Sequence, residues 1–354
     1  MSHGETPTVK DYRESKDLPI GGQAVIEGVM IRAENRVVTA VRTPDFGIVV
    51  REDEHIPWSR RFRPLGIPVI RGAISFFEMM IIGVRTLNFS ADMAMQAEVR
   101  QQGEINAAAS SELKNRLALA STIVFSLAIG IGLFFFLPLF VADFSGATQD
   151  ALQFNLLAGA VRLTIFLLYL WAMSRWSEIK RVFEYHGAEH KSIFAQEAGD
   201  ELTVMNAREH GRLHPRCGTS FLLIVVLLSI FVFAIVDSTV VQYLDRGQTL
   251  FERFTSHLFV LPLISGLSFE LLKFSGRKRN HLLTKILIAP GLLLQCLTTR
   301  EPDDRQLEVA LVALRHALGL PAHVEYAIWD STGHPRKIHS SEPHELQVGE
   351  GQIE

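Results

Sequence analysis

Residues 183–199 read FEYHGAEHKSIFAQEAG, and within them His186-Gly187-Ala188-Glu189-His190 spells H-x-x-E-H. Residues four apart on a helix are neighbours, so both imidazoles can reach one ion. Two neutral imidazoles beside a carboxylate form the donor set of an H-x-x-E-H metallohydrolase, in which the carboxylate is the general base. The spacing therefore predicts a divalent metal, zinc being the candidate, held by His186 and His190, with Glu189 as the catalytic base. A catalytic zinc takes three protein ligands and keeps one position open. The run His214-Pro215-Arg216-Cys217 has H-x-x-C spacing and offers His214 or Cys217 as the third ligand, with Glu270 a further candidate. Glu197 shares the helix face but lies seven residues past His190, about 10 Å along the axis, which is too far for the same ion. The competing reading is a pair of core histidines that only hydrogen-bond their neighbours, with Cys217 a small buried hydrophobe.

The elements that must position these groups follow from periodicity. Residues 175–198 read as one helix ending at Gly199, a suitable residue for the left-handed position after a helix. Trp176, Ile179, Phe183, His186, His190, Ile193 and Glu197 recur at steps of three and four, so the histidines sit on the packing face. Four apolar runs are long enough to span a bilayer: Leu117–Ala142, Leu152–Met173, Thr219–Leu244 and His257–Gly276. The loop 143–151 carries no Lys or Arg, whereas 174–218 carries seven and GRKRNHLLTK follows the fourth run. The positive-inside rule then places both termini and the H-x-x-E-H segment in the cytoplasm. Arg162 and Glu270 lie at similar depth in their spans, and an ion pair between them is expected.

The remainder is a smaller soluble part. Hydrophobic residues make up 48% of the 354, yet 21% are charged, a mixture that requires segregation into membrane and soluble layers. The net charge of −3 and the lack of any nucleic-acid signature set DNA and RNA aside as partners. Both cysteines, Cys217 and Cys296, fall on the side assigned to the cytoplasm, so no disulfide framework is expected. Residues 1–19 read as a disordered tail without the pattern of a cleaved signal, and 330–354 as a second disordered tail. GGQAVIEGVMIR (21–32), VVTAVRT (37–43) and IVVRE after the turn PDFG predict an antiparallel sheet of about three strands. In 67–89, Arg71, Glu78 and Arg85 recur every seven residues, which predicts an interfacial helix with that face in water. Ala289-Pro290-Gly291 predicts a break in the apolar stretch 282–297. Pro302–Leu318 predicts a last helix burying Leu307, Leu311, Leu314 and Leu318.

The stretches GGQAVIEGVMIR, RGAISFFEMMIIGVRTLNFSAD, FEYHGAEHKSIFAQEAGDELT, HPRCGTSFLLIVVLLSI and PGLLLQCLTTREPDDRQLEVALVAL, spread from about Ile20 to Leu318, resemble the YqhQ-like family of uncharacterised bacterial multi-pass membrane proteins. That resemblance implies metal dependence and supplies no substrate. The expected fold is a membrane α-helical bundle of about four transmembrane helices with a small N-terminal β-rich cytoplasmic region and a cytoplasmic helical segment, α+β overall. Its parts are a tail (1–19), the β-rich region (20–60), interfacial or cytoplasmic helices (67–116), transmembrane helices one and two (117–173), the cytoplasmic H-x-x-E-H segment (174–218), transmembrane helices three and four (219–276), an interfacial segment with the C-terminal helix (277–320), and the second tail (330–354). The expected location is the bacterial inner membrane, with the lipid bilayer as partner and protein partners for the cytoplasmic region. Two functions fit: a metal-dependent hydrolase at the cytoplasmic membrane face, or a non-enzymatic scaffold or assembly factor with a structural metal or none.

Overall fold

A computed structural model describes residues 20–44, 47–102, 112–146, 151–244, 246, 248–277, 282–321, 324, 326–329 and 335–339. Strands β1 (Ile20–Val25), β2 (Gly28–Ala33), β3 (Arg36–Thr43) and β4 (Gly47–Glu54) form an antiparallel meander. β5 (Tyr326–Trp329) adds in parallel to β4, with Ile48 opposite Tyr326, and β6 (Pro335–His339) pairs antiparallel with β5. The result is a six-stranded sheet in the order β1-β2-β3-β4-β5-β6.

Two expectations are corrected here. Residues 21–32 are a hairpin rather than one strand, because Ile26-Glu27 makes a two-residue turn with Glu27 at φ 52°. The Glu27 side chain binds Arg181, and its carbonyl accepts from the Arg42 N–H at 2.8 Å, which anchors that left-handed residue. The stretch from 330 was expected to be unstructured, yet Pro335–His339 is a strand. Proline is tolerated as the first residue of an edge strand, where its missing N–H costs no ladder bond. Residues 1–19 and the rest of the second tail lie outside the described residues.

The sheet is covered on both faces. Val29, Ile31, Val38 and Ala40 pack with Tyr185 and Ala188 of α6 (Ser177–Ala198) and with Leu307, Leu311 and Leu314 of α11 (Asp304–Ala317). Asp303 and Gln306 close a capping box at the start of α11. On the other face Met30 and Val37 meet Ile82, and Val25, Val41 and Val49 meet Phe89 and Met93, all from α2 (Ile70–Gln102). Burial on both sides explains the near-continuous apolar strands. A short α1 (Trp58–Arg61) precedes α2, and α7 (Val204–Glu209) follows α6.

Among the described residues, four helices are long and apolar enough to cross a membrane: Val124–Phe144, Ala151–Met173, Gly218–Leu244 and Leu250–Phe274. The first joins α3 (Glu112–Ile131) to α4 (Leu137–Phe144) through a π-helical turn at Gly132–Phe136. The others are α5 (Ala151–Met173), α8 (Gly218–Leu244) and α9 (Leu250–Arg277). Arg162 of α5 donates to the Phe134 carbonyl in that π turn at 3.1 Å and to Ser229 of α8 at 3.3 Å. Glu270 instead takes two hydrogen bonds from Arg71, at 2.7 and 2.6 Å. The expected Arg162–Glu270 pair is therefore absent, because depth along a span says nothing about rotation around its axis.

The watery face expected for α2 is also corrected. Arg71 is tied to α9, and Glu78 is buried and accepts the Trp58 N–H at 2.5 Å; Arg85 alone of the three is exposed. α2 can lie close to α9 because Gly72 faces Gly266, where a Cβ would come within 2.7 Å of the Gly266 carbonyl oxygen. The predicted break at Pro290 is absent: Leu282–Thr298 is a single helix, α10, and Gly291 seats it against Ser220 of α8. Thus α6, α11 and the sheet gather at the end of the bundle where α5 finishes and α8 begins.

Candidate metal centre

α6 runs from Ser177 to Ala198 and stops at Gly199, whose φ of 80° suits glycine. It lies hard against the segment joining α10 to α11. Gly187 makes this possible, since a Cβ there would sit 2.0 Å from the Arg300 carbonyl oxygen. The Arg300 N–H also donates to the Phe183 carbonyl at 2.8 Å. This contact carries the Thr298 carbonyl to within 2.8 Å of His186 Nδ1. One turn on, His190 Nδ1 lies 2.5 Å from the Arg212 carbonyl. A carbonyl can only accept, so in the neutral rings both protons sit on Nδ1 and both Nε2 lone pairs are left for a ligand. This arrangement of imidazoles backed by carbonyls is the usual support of metal-binding histidines.

The third member is Cys217, immediately before α8. His186 Nε2 is 3.2 Å from its Sγ, and the ligating atoms of His186, His190 and Cys217 all lie within 4.8 Å of one another. Zinc bonds of about 2.0–2.3 Å put neighbouring ligand atoms roughly 3.3–3.8 Å apart, close to this spacing. Two imidazoles and a thiolate suit a borderline-soft divalent ion, so the donor set fits the metal that the sequence predicted. Burial opposes the Cys217 thiolate, but the closeness of His190 and Thr219 outweighs it and holds the thiol below its ordinary value. Burial likewise keeps the His190 imidazole below its ordinary value, favouring the neutral ligand form.

His214 and Glu270 stand apart from this group. His214 Nε2 points to Glu197 Oε1 at 3.2 Å, and Glu197 also pairs with Arg216. The His214 ring packs on Phe194 and lies 5.6 Å from the His190 ring, centroid to centroid. Glu270 is held by Arg71. Glu189 lines the same cavity as the trio and is 5% exposed. Burial pushes its carboxyl up to about 8, against the pull of His186. Its Oε2 has no hydrogen-bond partner among the described residues. Gly22 of β1 makes room for it: a Cβ at 22 would lie 2.8 Å from Glu189 Oε1.

Several supporting residues were not singled out from the sequence. Buried Gln295 of α10 accepts the His214 N–H at 2.7 Å and donates to the His214 carbonyl at 2.8 Å. It also reaches Ser220, so it clamps the loop that delivers Cys217. Arg212 grips the Thr299 carbonyl and hydroxyl, both at 2.7 Å, and so ties the two backing carbonyls into one unit. An amide within the apolar run LLLQCL was the available signal for Gln295. Nothing in the sequence marked Arg212 among its basic neighbours.

The trio opens on a cavity of about 630 Å³ between β1, α2, α6 and the first turns of α8. Its walls are mainly apolar, including Phe76, Met79, Phe221, Leu222 and Phe269.

No solved structure matches the chain. The "Uncharacterized protein YqhQ" of Bacillus subtilis (strain 168) is 34% identical over 315 residues, covering 85% of this chain and 93% of that protein. A family model described as "Protein of unknown function (DUF1385)" matches residues 67–320, which include α6, the Cys217 turn and every candidate span. With most of both chains aligned, and the site inside the matched region, the chain belongs to this YqhQ-like DUF1385 family.

Proposed function

We propose that the protein is a membrane-embedded, metal-dependent hydrolase working at the cytoplasmic face of the bacterial inner membrane. His186, His190 and Cys217 hold a divalent metal, zinc by the chemistry of the donors. The observation that carries this reading is the pair of Nδ1–carbonyl contacts, which leave two Nε2 lone pairs and a thiol converging at the mouth of a cavity. A bound zinc would supply Lewis-acid activation of water and of a substrate acyl group. The charge of such an ion would draw the buried Glu189 carboxyl back toward its ionised form, in which Glu189 takes the proton of the attacking water and returns it to the leaving atom. The water oxygen joins the acyl carbon as the bond to the leaving atom breaks. Gly22 leaves space for the Glu189 carboxylate, and the apolar walls exclude bulk water. The cytoplasmic placement is supported by the basic residues of 174–218, on the side where the site lies.

The test is elemental analysis of the purified chain together with cobalt substitution, where a thiolate ligand gives a charge-transfer band. One metal per chain is expected, lost in His186→Ala and Cys217→Ser. Glu189→Gln is expected to keep the metal and lose about 100-fold or more of the hydrolysis of fluorogenic amides and esters. A metal-free wild-type chain defeats the proposal. The scaffold reading, with a structural metal, is favoured by one observation: the His214 ring adjoins His190 and could complete a closed site. Under that reading His214→Ala releases the metal; under ours it stays bound.

A further inference from the structure

β1 is an edge of the sheet, and its outer side faces the cavity that the His186–His190–Cys217 cluster lines. The register fixes which backbone groups point there. β2 and β3 are joined by the two-residue turn Glu34-Asn35, so Val29, Ile31 and Ala33 exchange hydrogen bonds with β3. The alternate residues Gly28, Met30 and Arg32 therefore serve β1, through Val25, Gln23 and Gly21. Gly22 and Ala24 are left with N–H and C=O directed outward. Neither has a backbone partner among the described residues outside the sheet. Further along the same edge, the Ile26 N–H is taken by Ser90 of α2 at 3.3 Å, so the open length is confined to the stretch bordering the cavity.

We propose that the cavity receives an extended polypeptide segment with apolar side chains, held by main-chain hydrogen bonds along the free edge of β1 so that its backbone passes the cluster. This inference rests on the hydrolase reading and names the substrate class of that site. Strand addition to an open sheet edge gives affinity through the main chain, while alternate side chains enter pockets. Here the pockets are apolar, formed by Phe76, Met79 and Phe269. An acyl chain would also suit such walls, but it would cover the half-buried outward β1 groups without giving them partners, which is costly. The segment's residue across from Gly22 lies nearest Glu189, because Gly22 is the strand residue against which that carboxylate rests.

The test uses the full-length chain in lipid nanodiscs and a fluorescent decapeptide of alternating Val and Thr. Its counterpart carries N-methyl groups on four successive central nitrogens. Ala24→Pro removes one outward N–H at an edge position that tolerates proline, and Ala24→Ser keeps it. The parent peptide is expected to bind the wild-type chain and Ala24→Ser alike. Binding should weaken about fivefold with Ala24→Pro and at least as much with the methylated peptide, since a lost bond of about 1 kcal/mol is a factor of about five. The metal content of Ala24→Pro stays at the wild-type value. If Ala24→Pro fails to fold, the methylated peptide on the wild-type chain decides alone. No measurable binding of the parent peptide, or equal binding of the methylated one, overturns the inference; so does displacement by a fatty acid with no dependence on backbone methylation. The hydrolase reading fails separately: a metal-free chain that still binds the peptide along β1 keeps this inference's geometry and removes the chemistry.

Discussion

Two polar clusters occupy opposite ends of the long helices, and they are built on different principles. At the far end of α8, buried Asp237 accepts from Asn155 Nδ2 and Arg253 Nη1, both at 2.8 Å, and from His257 Nε2 at 3.0 Å. Aromatic rings close over these groups: Phe233 stacks on His257 with centroids 3.8 Å apart, and Phe154 lies under the Arg253 guanidinium at 3.8 Å. These three donors meet one carboxylate inside the protein, and the cluster pins α5, α8 and α9 together. At the near end, His186 and His190 spend their donors on backbone carbonyls and turn their lone pairs towards a thiol at a cavity mouth. A histidine whose Nε2 is held by a buried carboxylate and whose ring is stacked serves packing; two histidines with lone pairs converging beside open space have room for a ligand. The same residue type serves both ends, and what faces Nε2 separates the two: a buried carboxylate at one, a thiol at a cavity mouth at the other.

The sharpest way to break this contrast is at Asp237. Asp237→Ala strands buried Arg253 and His257, and a loss of about 3–5 kcal/mol is expected, read as a lowered unfolding transition in detergent. Metal stoichiometry below that transition should not move; joint loss of metal and stability would show the two ends to be one unit. Gln295→Leu comes next. It keeps the volume but frees the loop carrying Cys217, and metal affinity measured by chelator competition is expected to fall about 10–100-fold, as for other supporting residues. Unchanged affinity would mean the loop holds its shape without the clamp. Gly199→Ala is the smallest. The φ of 80° costs a side chain about 1 kcal/mol, visible as a small shift in melting while metal affinity stays as it was. A drop in affinity would place the end of α6 within the site's supporting frame.

Much of this layout was legible in the residues. The spans announce themselves by length and apolarity, and α6 by its stripe, its H-x-x-E-H spacing and Gly199. What stayed hidden depended on contacts between distant segments. His214 and Cys217 were equal candidates because both lie in one short loop. Only the Gln295 clamp and the Glu197 contact, from two other positions, turn them different ways. Arg162 and Glu270 were matched by depth alone, whereas the π turn beside α5 and the arrival of α2 beside α9 gave each a different partner. Pro290 reads as a breaker by propensity, yet packing of Gly291 on Ser220 keeps its helix in one piece. β6 was hidden because PRKIH is polar and carries proline, as edge strands do.

The parallel pairing of β4 with β5 bears on the order of assembly. Its partners, Ile48 and Tyr326, are separated by all four of the long apolar helices described above. A nascent polypeptide leaving the ribosome cannot make this pairing, or lay α11 over the meander, until the last long helix has been synthesised. The chamber beside β1 takes Phe269 and Leu272 of that last long helix into its wall, so it too is a late product of biogenesis.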